Sequence, residues 1–274
     1  MEARLLQELL LRGADAHPDK SLLWFKKRWH TYGERAELTG RVAAFLREAG
    51  VDKGDRVVFI LENGHEYVAC YYGALRAGAV GVALNHNTVA NEIRTVLLDC
   101  EPTVVVAQRS VVKHLMGALD PAVPSVKLVL TLGVDFPTDK VPVPQAARVE
   151  KILEEPPPGQ VPEDPRDPSD LCSIIYTSGT TGKPKGVMLS HGNLLANAES
   201  IVEYLELVHD DRVMCVLPFF FSYGNSLLTT HLFVGGSLVL HNGFVFPNGI
   251  LDEMIAEGCT GFSGVPSTYA LLLH

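Results

Sequence analysis

Apolar and polar positions along the chain alternate between a helical and a strand period, and the switching between the two lays out most of its elements. Leu5, Leu6, Leu9 and Leu10 recur on one face at helical spacing and predict an amphipathic first helix that packs on its own domain. Residues 22–25, a Lys26-Lys27 pair and residues 28–32 read as a hairpin leading into a helix. Thr31 and Glu34, three apart, make a capping box for that helix, whose Leu38, Val42, Phe45 and Leu46 keep helical spacing as far as Gly50. β-Branched runs at 57–61, 80–84, 103–107 and 127–131 then predict strands, with helical stretches near 65–77, 89–99 and 110–118 between them. Strands alternating with helices of this length imply βαβ units and a mainly parallel sheet.

A stretch dense in proline and acid, residues 154–168, interrupts the alternation and marks a surface connection or a subdomain boundary. Beyond it the spacing predicts a strand at 171–176, a glycine-rich loop, a strand at 187–189 and a helix over 193–207. Further strands are expected at 212–217, 237–241 and 260–262, with helices near 225–234, 248–257 and 266–273. The expected fold class is α/β, as two packed parallel-rich subdomains: residues 1–168, ending in the proline-rich connection, and residues 169–274, carrying the loop.

Composition narrows the function classes. A length of 274 residues supports a core without disulfides or a structural metal. The formal net charge of −9, with Lys26-Lys27-Arg28 as the one local basic cluster, argues against a nucleic-acid partner. The five cysteines are scattered singly without CxxC spacing, which fits a reducing, cytoplasmic setting. The N-terminus has no secretory pattern, and the longest apolar stretches are interrupted by Arg76, Pro218 or Gly235-Gly236, so no transmembrane segment is expected.

The candidate chemistry sits in the loop Tyr176-Thr-Ser-Gly-Thr-Thr-Gly-Lys-Pro-Lys-Gly186. Glycines let the backbone approach a ligand closely, and hydroxyls, backbone N–H groups and ammonium groups offer donors and positive charge to phosphate oxygens. The string is not a GxxxxGK[ST] P-loop, because Gly179 and Gly182 stand too close and Pro184 follows Lys183; it also fails the GxGxxG dinucleotide pattern. Over residues 176–187 it resembles, letter for letter, the signature of the adenylate-forming superfamily, which includes acyl-CoA synthetases, firefly-type luciferases and the adenylation domains of nonribosomal peptide synthetases. Gly54-Asp-Arg-Val57, residues 73–80, Leu189-Ser-His-Gly-Asn-Leu194, Leu217-Pro-Phe-Phe220 with Tyr223-Gly224, and Gly264-Val-Pro-Ser267 resemble the same family in order and spacing.

That resemblance implies ATP-dependent activation of a carboxylic acid as an acyl-adenylate, followed by transfer to a thiol. ATP, Mg²⁺ and CoA are the implied cofactors, and the substrate expected is a medium- or long-chain fatty acid, with an aryl acid as the second choice. It implies that Thr177, Ser178, Gly179, Thr180, Thr181, Gly182, Lys183 and Lys185 hold the β- and γ-phosphates, with Thr181 and Lys185 as the catalytic pair. It further implies an acyl pocket at Phe220, Phe221, Tyr223, Gly224, Gly264, Val265 and Pro266. Aromatic residues at a strand end are also plain core, however, and Pro266 also simply opens a helix. Phe221 stands where the family often carries a histidine, so no orienting imidazole carries over. His191 is expected on the surface or at a helix cap. The family's later segments and its C-terminal lid lie beyond His274, so a catalytically incomplete N-terminal part is expected. A ligase loading an acyl group onto a carrier-protein phosphopantetheine, or a non-catalytic nucleotide-binding module, are the alternatives.

Overall fold

Nearly every predicted apolar run forms an element of the computed structural model, which describes residues 3–155, 166–177, 184–244 and 246–273. The strands are β1 (Ser21–Phe25), β2 (Arg28–Thr31), β3 (Arg56–Ile60), β4 (Val80–Ala83), β5 (Val104–Gln108) and β6 (Leu128–Leu132), then β7 (Gln145–Arg148), β8 (Leu171–Thr177), β9 (Lys185–Ser190), β10 (Arg212–Cys215), β11 (Ser237–Leu240) and β12 (Gly261–Ser263). The helices are α1 (Leu6–Ala16), α2 (Tyr32–Glu48), α3 (His65–Ala77), α4 (Ala90–Cys100), α5 (Val112–Ala118), α6 (Val149–Glu154), α7 (His191–Leu205), α8 (Ser222–Val234), α9 (Pro247–Ala256) and α10 (Pro266–Leu272).

The elements assemble into two compact units. One comprises Met1–Ala36, Asn63–His65 and Gly192–His274; the other comprises Glu37–Glu62 and Glu66–His191. A division at residue 168 follows chain order, whereas these units interleave in sequence. The reason is a long-range strand pair: β1 lies parallel to β11, with Leu23 opposite Leu238, and so joins the N-terminal hairpin to the sheet of the last third of the chain.

The first unit holds a five-stranded sheet of order β12-β10-β11-β1-β2, parallel except for the β1–β2 hairpin. The two-residue turn of that hairpin puts both Lys26 and Lys27 at positive φ, 51° and 62°, the geometry of a type I′ turn, which matches the strands' twist. The capping box at α2 is present in both directions. Glu34 N–H donates to Thr31 Oγ1 at 3.2 Å, and Thr31 N–H donates to the Glu34 carboxylate at 3.0 Å.

The second unit holds a seven-stranded sheet of order β7-β6-β5-β3-β4-β8-β9, parallel except for the β8–β9 pair. Its central strands are buried on both faces, as parallel sheets require. Val58, Ile60, Val82, Val105 and Val129 pack with Ile93 and Leu97 of α4 and Leu115 of α5 in one core. On β3 the alternate residue Phe59 meets Tyr67 and Tyr71 of α3, with ring centroids 6.2 and 5.5 Å apart. Two elements had no sequence signal. β7 reads Gln-Ala-Ala-Arg, without a β-branched residue, and is a strand because β6 offers it a parallel register, Leu128 opposite Gln145; α6 follows directly.

Candidate functional site

The glycine-rich string lies on the β8–β9 hairpin at the edge of the seven-stranded sheet. The strands run antiparallel from Leu171 opposite Ser190 to Thr177 opposite Lys185, so Thr177 and Lys185 form the last register pair before the loop. Both side chains are exposed, and Thr177 Oγ1 reaches the Lys185 carbonyl at 3.5 Å. Ser178, Gly179, Thr180, Thr181, Gly182 and Lys183 lie outside the described residues. The structure therefore brings together Thr177 and Lys185 from the expected phosphate-binding set.

The stalk beneath the loop is built for close contact. A Cβ on Gly186 would sit 2.7 Å from Ile174 Cγ2 and 3.3 Å from Tyr176 Cζ, so only glycine lets the neighbouring strand's side chains lie over β9 here. The Tyr176 hydroxyl donates to the Asp99 carboxylate near the end of α4, tying β8 to that helix. Burial, and then this bond to Asp99, push the Tyr176 phenol above its ordinary range, so it stays a donor. At the base of the hairpin, His191 N–H donates to the Asp170 carbonyl at 3.1 Å.

His191 itself is not on the surface. It is 1% exposed at the start of α7, and burial, assisted by Arg166 and opposed by Asp170, lowers its pKa from 6.5 to about 4. A neutral, buried ring at a helix start fits a packing role.

The expected acyl-pocket residues all belong to the first unit. β10, β11 and β12 are adjacent and parallel, so the segments leaving their C-terminal ends share one edge of the five-stranded sheet. Ligands of open α/β sheets bind at such carboxyl ends. This edge is rich in rings. Phe220 and Phe221 lie 4.3 Å apart by centroid after β10, Phe244 follows β11 and lies 5.6 Å from Phe262 of β12, and Phe262 stands 5.8 Å from Tyr269 of α10. Phe221 is 57% exposed, Tyr223 is exposed and Phe220 is half-buried, so none of the three is a core residue; Phe219 is the buried member of the run.

Gly224 is buried, and a Cβ there would meet the Pro218 carbonyl oxygen at 2.1 Å. The first turn of α8 therefore rests on the backbone of the aromatic segment. Val265 and Pro266 are exposed and Gly264 is partly so; Pro266 opens α10, while Val265 N–H donates to Thr268 Oγ1 at 3.2 Å. One contributor carried no sequence argument. Asn63, 6% exposed, donates from Nδ2 to the Leu217 carbonyl at 2.9 Å and accepts from Phe219 N–H at 2.8 Å through Oδ1. Its only local signal is an Asn-Gly pair after β3.

Among the described residues no group of three or more His, Cys, Asp or Glu side chains could hold a metal ion. No helix among them is long and apolar enough to cross a membrane.

The model of the family described as AMP-binding enzyme matches residues 10–274. The chain belongs to that family. It is 35% identical over 241 residues to an indoleacetate–CoA ligase of Aromatoleum aromaticum, a match covering 87% of this chain and 45% of that protein. It is 32% identical over 247 residues to a feruloyl-CoA synthase of an Amycolatopsis species, covering 89% of this chain and 45% of the relative. The fold superposes on ATP-bound MatB from Rhodopseudomonas palustris with a TM-score of 0.80 and 28% identity, covering 98% of this chain and 51% of that one. This AMP-binding chain thus has the α/β fold of a CoA-ligase N-terminal region and spans about half the length of the curated relatives it matches.

Proposed function

We propose that the protein carrying this chain activates a carboxylic acid with ATP and transfers the acyl group to CoA. The observation that carries the reading is the β8–β9 hairpin, which sets Thr177 and Lys185 at the two ends of the glycine- and hydroxyl-rich loop in a chain of the AMP-binding family. In the first step a carboxylate oxygen bonds to the α-phosphorus of ATP and the bond to pyrophosphate breaks. In the second, a thiol sulfur bonds to the acyl carbon, AMP leaves, and the thiol proton passes to solvent.

The first step sets a carboxylate against a triphosphate, so its barrier falls with positive charge and donors placed on the phosphates. Ser178, Thr180 and Thr181 would donate their hydroxyls to the β- and γ-phosphate oxygens, and Gly179 and Gly182 would let backbone N–H groups approach them. Lys183 and Lys185 would supply mobile point charge. Mg²⁺ would arrive with the nucleotide, neutralising phosphate oxygens while keeping waters of its own.

The acid is an aryl or arylalkyl acid in preference to a fatty acid. Support comes from the exposed, ring-rich edge carrying Phe220, Phe221, Tyr223 and Tyr269, and from relatives whose names specify indoleacetate and ferulate. Planar acids gain from offset or edge-on ring contacts at such a surface. Val265 and Pro266, exposed on the neighbouring segment, would border the same edge, with Gly264 and Gly224 admitting close packing.

The test is mass-spectrometric detection of thioesters after incubating the protein with ATP, Mg²⁺, CoA and equimolar aryl, arylalkyl and fatty acids. Aryl or arylalkyl thioesters should dominate. Dominant medium- or long-chain thioesters would assign the fatty acids instead, and transfer only to a phosphopantetheinylated carrier protein would replace CoA as the acceptor.

A further inference from the structure

Resting on that reading, we infer that Asn63 is a positioning residue for acid binding: its amide fixes the Leu217–Phe219 backbone and thereby the placement of the Phe220–Phe221 rings. The β10 ladder ends at Cys215, and the chain then enters an irregular segment that is still largely buried, with Leu217 7% and Phe219 1% exposed. Buried backbone groups of this kind must find partners. Pro218 has no N–H to offer, so the segment is poorly suited to another strand. Asn63 supplies a strand-like partner from a side chain. One amide donates to Leu217 and accepts from Phe219, gripping the backbone on both sides of the proline at 2.9 and 2.8 Å.

The remaining bonds extend this grip to the rings. The Leu217 carbonyl also meets the Cys215 thiol at 3.5 Å, a weak donor that leaves the Asn63 amide as its strong partner. Phe221 N–H donates to the Pro218 carbonyl at 3.2 Å, closing a turn around Phe219 and Phe220. Gly224 rests on that same carbonyl oxygen. From Leu217 to Phe221 the backbone is therefore held by Asn63 on both sides of Pro218 and by the Pro218–Phe221 turn beyond it, and Phe220 and Phe221 stand at its end with centroids 4.3 Å apart. Asn63 touches no reacting atom; it acts through the segment it holds.

The decisive experiment compares wild type, Asn63→Ala and Asn63→Asp in the protein carrying this chain, measuring KM for the acid, KM for ATP and kcat, with hydrogen exchange of the Phe219 amide. Asn63→Ala removes both bonds. Asn63→Asp, nearly isosteric, keeps the acceptor for Phe219 N–H but turns an acceptor oxygen toward the Leu217 carbonyl, and carries the test if the alanine variant fails to fold. The expected result is a tenfold or larger rise in acid KM with ATP KM within twofold, together with faster exchange at Phe219 in the alanine variant while Val213 and Met214 stay protected. Folded variants with an unchanged acid KM, or with acid and ATP KM rising together, overturn the positioning role. A wild-type protein that activates no acid overturns the functional reading itself, and this inference with it.

Discussion

Lys185 and Thr181 are the side chains on which the proposed chemistry leans most. Lys185 is exposed at the mouth of the hairpin, so removing its ammonium group leaves no cavity behind it. Lys185→Ala and Thr181→Ala should each slow acyl-adenylate formation by about a hundredfold, the order seen when one donor to developing charge is lost. The thermal midpoint of Lys185→Ala should not move, and unchanged adenylation rates in single-turnover assays would remove these residues from the mechanism. Gly224 behaves in the opposite way. A methyl group there must displace the Pro218 carbonyl, a backbone atom, so Gly224→Ala should lose about 1–3 kcal/mol in urea unfolding. The loop was legible as a string because its chemistry is local. Asn63 was not, because the carbonyl and N–H it holds lie 154 and 156 residues away. Of the two places expected for His191, surface or helix cap, the structure gives the helix start, with the ring buried; that burial is visible only in the folded second unit, where α7 starts at the base of the hairpin.

Elements with local signals were read well from the sequence. The Thr31–Glu34 box is spelled out by residues three apart, and the structure forms both of its bonds. Thr31→Ala should cost about 1 kcal/mol of stability, visible as a lower denaturant midpoint, whereas Thr31→Ser, which keeps the hydroxyl, should lose less. An alanine variant as stable as wild type would mean that the box adds nothing to α2. By contrast β7 and α6 owe their existence to β6, whose edge opposite β5 offers a parallel register to a segment of low strand propensity. Residues 212–217, expected as one strand, end as a ladder at Cys215 because Pro218 and the Asn63 clamp take the chain out of the sheet. That early exit is what gives the aromatic edge its shape.

At the scale of the molecule, two parallel-rich sheets were foreseen, but their ownership of the chain was not. Parallel pairing of β1 with β11 joins residues more than two hundred positions apart, and no periodicity in either segment announces a partner. Each unit also buries a histidine whose titration belongs to the fold. Burial, then Arg35, His65 and Arg28, lower His30 to about 4 against a weaker opposing pull from Glu34, and His191 lies at a similar value. Both rings stay neutral in the fold while the unfolded chain protonates near 6.5, so their contribution is fully present above about pH 6.5 and is lost as pH falls towards 4. The thermal midpoint should therefore fall across that window, and a folded His191→Phe variant should show a shallower fall; parallel profiles would show that His191 does not couple stability to pH.

Acid-dependent exchange of labelled pyrophosphate into ATP reads out whether the protein carrying this AMP-binding chain adenylates a carboxylic acid. Exchange should appear only when an acid is present, should be strongest with aryl or arylalkyl acids, and should collapse in Lys185→Ala. Exchange that ignores the acid, or ATP binding without exchange for any acid in a folded, full-length protein, would contradict it.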